Sequence, residues 1–311
     1  MTSEKLADTR SPSKIAFGLV KSARPQQWVK NVFVLAALFF SKSFQDPKLL
    51  VTGFFAALLF CFVSSAVYLL NDIFDVEKDR NHPTKKNRPI ASGLLPIPVA
   101  WAASGTLALG SIVTAGFIDW RFCAALGGYF GMNFAYSMAL KNIPFVDVGI
   151  IATGFVLRVL AGAFAIDVFI SEWLFACTFL LALYLGLGKR QHELQLMLAG
   201  RAKKARKVLE RYHPEQLEFV FLFVAGMTIA CYTVYTLTAS LPDQPLRTAA
   251  TPVSSPYLPV TIPFTVFGIT RFYQLVNKDS DDSPTDLILK DWPFLLNILG
   301  WCAVMFYVVF L

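Results

Sequence analysis

Long apolar runs separated by short charged connections dominate this chain. Nine of them, near 28–44, 49–74, 97–117, 121–139, 144–166, 171–188, 216–240, 258–276 and 291–311, approach or reach the roughly 20 mainly apolar residues that a membrane-crossing helix needs. The pattern predicts an all-α, polytopic membrane protein with nine transmembrane helices. Residues 1–22 are polar and mixed in charge, without the apolar stretch and small-residue cleavage site of a secretory signal. They are expected to form a cytoplasmic N-terminal tail ahead of a single membrane-embedded catalytic domain over 23–311.

Composition agrees: 55% of the residues are apolar, 14% aromatic and only 16% charged, far from the soluble average. The positive charge is distributed by side. One set of connections holds Lys5 to Lys30, Lys78 to Arg88, Lys141, Lys189 to Arg211 and Arg271 to Lys290, whereas the alternate set holds only Lys42, Lys48, Arg121 and Arg247. This asymmetry puts the N-terminus in the cytoplasm of a cell (inner) membrane protein and, with an odd number of spans, the C-terminus outside. The net charge of +7 therefore reflects topology and anionic headgroups, and nucleic acid is not expected as a partner. Cys61, Cys123, Cys177, Cys231 and Cys302 are scattered through apolar runs without a paired motif, as packing residues are. Ala199 to Arg211 reads as a basic helix on the headgroups, and Asp279 to Asp286 as a solvated turn. Outer connections such as Ser240 to Pro259 are rich in Pro, Ser and Thr, so chemistry is expected on the inner side.

The most informative polar run is Asn71-Asp72-Ile73-Phe74-Asp75-Val76-Glu77-Lys78-Asp79-Arg80, which follows the charge-free stretch Leu49 to Leu70. Continued as a helix at about 100° per residue, it places Asp72, Asp75 and Asp79 within about 60° of one another. Clustered carboxylates raise one another's pKa unless a cation lies between them. Hard oxygen ligands at a membrane boundary suit Mg²⁺, which binds one or two carboxylates together with substrate phosphates. Asn71 is an adjoining candidate ligand. Arg80, His82, Lys85, Lys86 and Arg88 follow directly and supply donors for the same phosphates. Together these residues describe a diphosphate site.

Four further constellations invite a functional reading. Gln26, Lys30 and Asn31 flank Trp28 at the start of the first run and read either as an interfacial belt or as a grip on a phosphate headgroup. Tyr136 and Lys141 end the fourth run, where an interfacial anchor is the plain alternative. Arg158 lies inside the fifth run, where a charge is costly and faces a partner or a polar cavity. Lys189, Arg190, His192 and Glu193 end the sixth; Lys189, His192 and Glu193 share a helical face, suited to an anion, with Glu193 either a metal ligand or the partner of Lys189.

Two of these motifs resemble those of a known family. Asn71 to Asp79 matches the first aspartate motif, NDxxDxxxD, of the UbiA superfamily of intramembrane prenyltransferases, and Tyr136 to Lys141 matches its YxxxLK element. The resemblance covers essentially the whole chain and implies a UbiA-like bundle around a central cavity. One departure stands out: where typical members carry a second aspartate-rich motif, this chain has Gly188-Lys189-Arg190-Gln191-His192-Glu193. A basic cluster cannot hold a second metal, but it can hold another phosphate. In this the chain looks like the phosphoribosyltransferase branch of the superfamily. That branch, as the resemblance implies, moves 5-phosphoribose from phosphoribosyl pyrophosphate to a polyprenyl (decaprenyl) phosphate for cell-wall arabinan precursors.

On that reading Asp72, Asp75 and Asp79 are catalytic and metal-binding. Arg80, Lys85, Arg88, Tyr136, Lys141, Lys189 and Arg190, with Asn71, serve the donor, and Gln26, Lys30, Asn31, Arg158 and His192 serve the acceptor lipid. Two alternatives stay open, a prenyltransferase with an isoprenyl diphosphate donor and aromatic acceptor, and a transporter of anionic metabolites or lipids. A homo-oligomer is compatible with the sequence, although no motif specifies one.

Overall fold

The structure, a computed structural model, describes residues 11–41, 43–169, 171–201, 207–240 and 255–310. Among the described residues every regular element is helical. The chain runs through α1 (Pro12–Ala23), a 3₁₀ segment (Pro25–Leu35), α2 (Ala36–Phe40), α3 (Pro47–Phe74), α4 (Val76–Arg80), α5 (Ile97–Gly116), α6 (Trp120–Met138) and α7 (Val146–Ala165). It continues through α8 (Glu172–Leu198), α9 (Pro214–Ala239), α10 (Ile262–Val276), α11 (Pro284–Lys290) and α12 (Trp292–Phe310). The start of the expected tail, Lys5 included, together with Lys42, Arg247 and most of the outer connection from Ser240 to Pro259, lies outside the described residues.

All nine apolar runs are helical, yet the count of nine spans is not reproduced. Among the described residues five helices, α3, α5, α7, α8 and α9, are long and apolar enough to cross a membrane, and α11 with α12, bent by 78°, makes a sixth if the pair is one span. The other runs fall short for identifiable reasons. α10 has only 15 residues, and α6 is diluted by Arg121, Asn133 and three glycines. The first run is wound mainly as a 3₁₀ helix. Its tighter winding rises about 2.0 Å per residue, so that with α2 it extends about 30 Å if straight, near the thickness of a hydrocarbon core.

Contacts group the chain into two units. The first comprises residues up to Ala37, Asp46–Lys141 and Leu157–Asp167, and α3 is its axis. Asp46 caps α3 by accepting from the amides of Lys48 (2.8 Å) and Leu49 (3.4 Å), and Pro47 takes the first-turn position where no amide bond is lost. Phe60, Val63 and Val67 of α3 pack with Phe122 and Leu126 of α6 and Ala161 of α7. The expected polar tail is, from Pro12 onward, a packed helix. Ile15 and Leu19 of α1 join Leu69, Ile73 and Leu95 in a second cluster, while Phe17 and Val20 stay exposed.

One glycine controls how closely the 3₁₀ segment approaches α7. A Cβ on Gly162 would lie 1.8 Å from the carbonyl oxygen of Val34, a backbone atom that cannot rotate away. Gly162→Ala is therefore expected to destabilise the protein by about 1–3 kcal/mol or more, read as a lower melting temperature of the purified chain.

The second unit comprises Leu38–Gln45, Asn142–Val156 and the chain from Val168 onward. Ser171 caps α8 by accepting from the amide of Leu174 at 3.2 Å. Tyr184 stacks on Phe221 of α9 with centroids 4.8 Å apart and donates to the Ile269 carbonyl at 2.8 Å. A Cβ on Gly186 would meet Val148 at 2.4 Å, and one on Gly188 would meet Phe272 at 2.5 Å; the glycines bring α7 and α10 against α8. This helix runs ten residues past the expected boundary of 188, carrying Lys189 to Leu194 on regular turns. It stops at Leu198, and Gly200 follows with φ of 69°, a left-handed conformation that closes helix ends. Of the basic helix expected over Ala199 to Arg211, the first three residues are therefore not helical and Lys207–Arg211 form a 3₁₀ turn; residues 202–206 lie outside the described residues.

Candidate active site

In the first unit the acidic motif forms where α3 ends. Asp75 has φ of −94° and ψ of 5° and separates α3 from the short α4, so the rotation of a continuous helix does not carry through it. The three aspartates part accordingly. Asp72 and Asp79, both 2% exposed, come together around Arg88, whose Nη1 donates to Asp72 Oδ1 at 3.0 Å and to Asp79 Oδ2 at 2.7 Å. Asp75 turns to Lys141, which donates to its Oδ1 at 2.7 Å. Among the described residues no three His, Cys, Asp or Glu side chains are placed to hold one metal. The carboxylate pair still fits Mg²⁺, which needs only one or two protein carboxylates when substrate phosphates complete its shell.

A residue that sequence reasoning did not place in the site joins the pair. Arg24 Nη2 donates to Asp72 Oδ1 at 2.5 Å, and its guanidinium lies 5.2 Å from the centre of the Tyr68 ring. Arg24 is in the left-handed region with φ of 53°, a conformation that costs a non-glycine residue about 1–2 kcal/mol; the ion pair and the ring contact offset it. Asn71 shares a hydrogen bond with Ser137. Arg80 pairs with Glu77 at 2.7 Å and is half exposed, Lys85 sits half-buried in the 3₁₀ turn Lys85–Asn87, and Tyr136 is half-buried near the end of α6.

The first-run constellation divides. Gln26 and Lys30 are exposed, whereas Asn31 is 2% exposed and donates to Ser64 at 3.0 Å and Cys61 at 3.2 Å. Arg158, also buried, donates to Asn31 Oδ1 and to the Tyr129 hydroxyl, each at 2.9 Å, with the rings of Phe60 and Tyr129 at 5.3 and 4.9 Å. Arg158 thus ties α7 to the 3₁₀ segment and α6.

In the second unit Lys189 is exposed, but Arg190 is 2% exposed and bonds to Asp147 at 2.6 Å and Glu193 at 2.7 Å. His192 is buried, with Nδ1 3.2 Å from the Val276 carbonyl. Asp147 and Tyr212, bonded at 2.6 Å, were not expected in any site. Only their distant position in the chain hid them, since an acid at the start of an apolar run asks for a partner.

An all-helical, multi-pass membrane protein with paired carboxylates and arginines at the end of an apolar helix is the class that these features define. Residues 31–299 match the sequence model of the UbiA prenyltransferase family, and the chain belongs to that family. It is 33% identical over 310 residues to the decaprenyl-phosphate phosphoribosyltransferase of Mycolicibacterium smegmatis, covering 97% of this chain and 96% of that protein. Identity to the protein of the same name from Corynebacterium glutamicum is 32%, over 94% and 88% of the two chains. Among solved structures, a UbiA homologue from Archaeoglobus fulgidus bound to GPP and Mg²⁺ superposes with a TM-score of 0.66 at 18% identity, covering 94% of this chain and 100% of that one. That likeness speaks for the fold.

Proposed function

We propose that this protein transfers 5-phosphoribose from phosphoribosyl pyrophosphate to a polyprenyl phosphate in a Mg²⁺-dependent reaction, releasing diphosphate. The observation that carries the chemistry is the cluster of Asp72, Asp79, Arg24 and Arg88, in which carboxylates for a divalent cation and guanidinium donors for phosphate oxygens occupy one place. The acceptor and the group transferred follow the name of the two relatives matched along nearly the whole chain, and phosphoribosyl pyrophosphate is the donor that fits that name. Residues 23–311 form the catalytic domain, the site faces the cytoplasm of a cell membrane as the charge asymmetry argues, and the product feeds cell-wall arabinan synthesis.

Asp72 and Asp79, with Asn71 and Asp75 adjoining, would hold Mg²⁺, which when bound would offset the negative charge of the donor diphosphate. Arg88, Arg80 and Lys85 bind donor phosphates, and Lys141 holds Asp75 beside them. As the diphosphate leaves, positive charge builds on the anomeric carbon, as in glycoside cleavage. The acceptor phosphate attacks from the opposite face, with inversion. Being anionic already, it needs no general base, which suits a chain with three histidines. Gln26 and Lys30, exposed beside Trp28, take the acceptor headgroup. The partners of Asn31, Arg158 and His192 give those residues a supporting part.

Purified protein incubated with phosphoribosyl pyrophosphate, polyprenyl phosphate and Mg²⁺ is expected to release diphosphate and form lipid-linked 5-phosphoribose. Chelation should abolish both, and excess Mg²⁺ restore them. Transfer from an isoprenyl diphosphate with none from phosphoribosyl pyrophosphate would reject the proposal in favour of a prenyltransferase, the activity in the family's name. Movement of intact substrate across liposomes without turnover would favour a transporter.

A further inference from the structure

Trp28 lies where an interfacial tryptophan would offer its indole N–H to the headgroups, but that group turns inward. Its Nε1 donates to Ser65 Oγ of α3 at 2.9 Å, and its ring meets Phe62 edge-on with centroids 6.2 Å apart. Ser65 is 1% exposed and donates its own proton to the Ala23 carbonyl at 3.0 Å. The adjoining Ser64 bonds back to its own helix at the Cys61 carbonyl, 3.0 Å away, as helical serines commonly do. Ala23 is the last residue of α1, where carbonyls have no partner within the helix. One buried hydroxyl therefore joins the backbone just before Arg24 to a side chain just after it. Ser65, Tyr68 and Asp72 stand within about 60° of one another on α3. Each holds a different part of the same turn: Ser65 its two flanks, Tyr68 the face of the Arg24 guanidinium, and Asp72 its charge. All of these residues belong to the first unit.

We propose that Ser65 is a positioning residue, which presents the Arg24 guanidinium to the diphosphate of the donor. The inference rests on the phosphate-binding part given to Arg24 above and adds the group that aims it. Arg24 is in the left-handed conformation between α1 and the 3₁₀ segment, so neither element continues through it to set its direction. Ser65 sets that direction from α3, the helix that also carries Asp72, and guanidinium and carboxylate thereby share one frame. Donation to phosphate by a planar guanidinium depends on how its fork is aimed. A side chain already held in its binding geometry also gives up less freedom when the ligand arrives.

The probe is inorganic diphosphate with Mg²⁺, its dissociation constant measured by titration calorimetry on the full chain in detergent. Arg24→Gln is expected to weaken binding about ten- to a hundredfold, the worth of hydrogen bonds to a charged group, and Ser65→Ala to weaken it about fivefold. In the Arg24→Gln background Ser65→Ala should cost less than about twofold, because its effect runs through the guanidinium. Trp28→Phe removes the indole donor and keeps the bond to Ala23; it is expected to lose about threefold, and it decides the matter should the serine variant not fold. A serine that serves only the fold would lower the melting temperature and weaken diphosphate by the same factor in both backgrounds. That additivity, wild-type affinity in Arg24→Gln, or wild-type affinity in the folded serine variant overturns the inference, as does wild-type affinity in Trp28→Phe if the serine variant does not fold. Turnover of phosphoribosyl pyrophosphate by the same wild-type preparation separates the two readings. Coupled affinities without that turnover keep the placement of Arg24 and reject the donor, whereas turnover with uncoupled affinities rejects only the part given to Ser65.

Discussion

Asparagine in place of Asp72 is expected to cut turnover by about a hundred- to a thousandfold, the usual loss when one preorganised electrostatic group is removed from an active site. The shape of the side chain is kept, so the effect isolates charge. Asp72 is a shared anchor: its Oδ1 accepts from both Arg24 and Arg88, and a neutral amide leaves two cations without their common counter-charge. The same oxygens are those proposed to bind the divalent ion. Asp79→Asn belongs in the same range, because Arg88 bridges the two acids. Asp75→Asn is expected to be milder, about tenfold, since Asp75 is 28% exposed and engaged by Lys141 in a partly solvated pair. Steady-state diphosphate release by the three variants, each checked for an unchanged elution profile, decides the ranking. A wild-type rate in Asp72→Asn, or a larger loss at Asp75 than at Asp72, would show that the acids do not divide as described.

Asp147→Leu is expected to be the most damaging of these changes to stability, costing about 3–5 kcal/mol, because it removes the fully buried counter-charge of a buried guanidinium and leaves only the partly exposed Glu193. Arg190 is 2% exposed and Asp147 1% at their side chains, so water cannot compensate. The Tyr212 hydroxyl loses its acceptor as well. A fall in melting temperature of roughly 10 °C in detergent is the expected reading. Asp147→Leu combined with Arg190→Met should recover much of the loss, since apolar packing commonly replaces a buried ion pair at little cost. A single variant that melts like the wild type would mean the pair contributes nothing to the fold.

The sequence showed what is local. An uncharged run from Leu49 to Leu70 ending in acids marks α3 and the site beside its end, and the apolar runs mark each long helix to within a few residues, α8 apart. What depends on distant neighbours was not legible. The expectation of three aspartates on one face assumed a helix through Asp75, but the backbone breaks there and sends Asp75 to Lys141, 66 positions later. Arg158 stands out as a charge inside an apolar run, whereas Arg190 reads as part of a phosphate-binding cluster and is instead buried against Asp147 and Glu193. Their partners, Tyr129 and Asn31 in one case and Asp147 in the other, lie 29 to 127 positions away, and helical spacing says nothing of them. Arg24 was passed over because, beside Pro25 and Trp28, it has the look of an ordinary membrane anchor.

That arginine gives the amino-terminal helix a mechanical significance. The seat of α1 on Leu69 and Leu95 sets where the backbone at Arg24 emerges, and hence whether its guanidinium meets Asp72. Prying that helix from its bed, whether by a bulky fusion or by a truncation drawn at the first hydrophobic stretch, would unbalance the Asp72–Asp79 carboxylate pair from about fifty positions away. Residues 12–23 act as a lever on the proposed reaction centre.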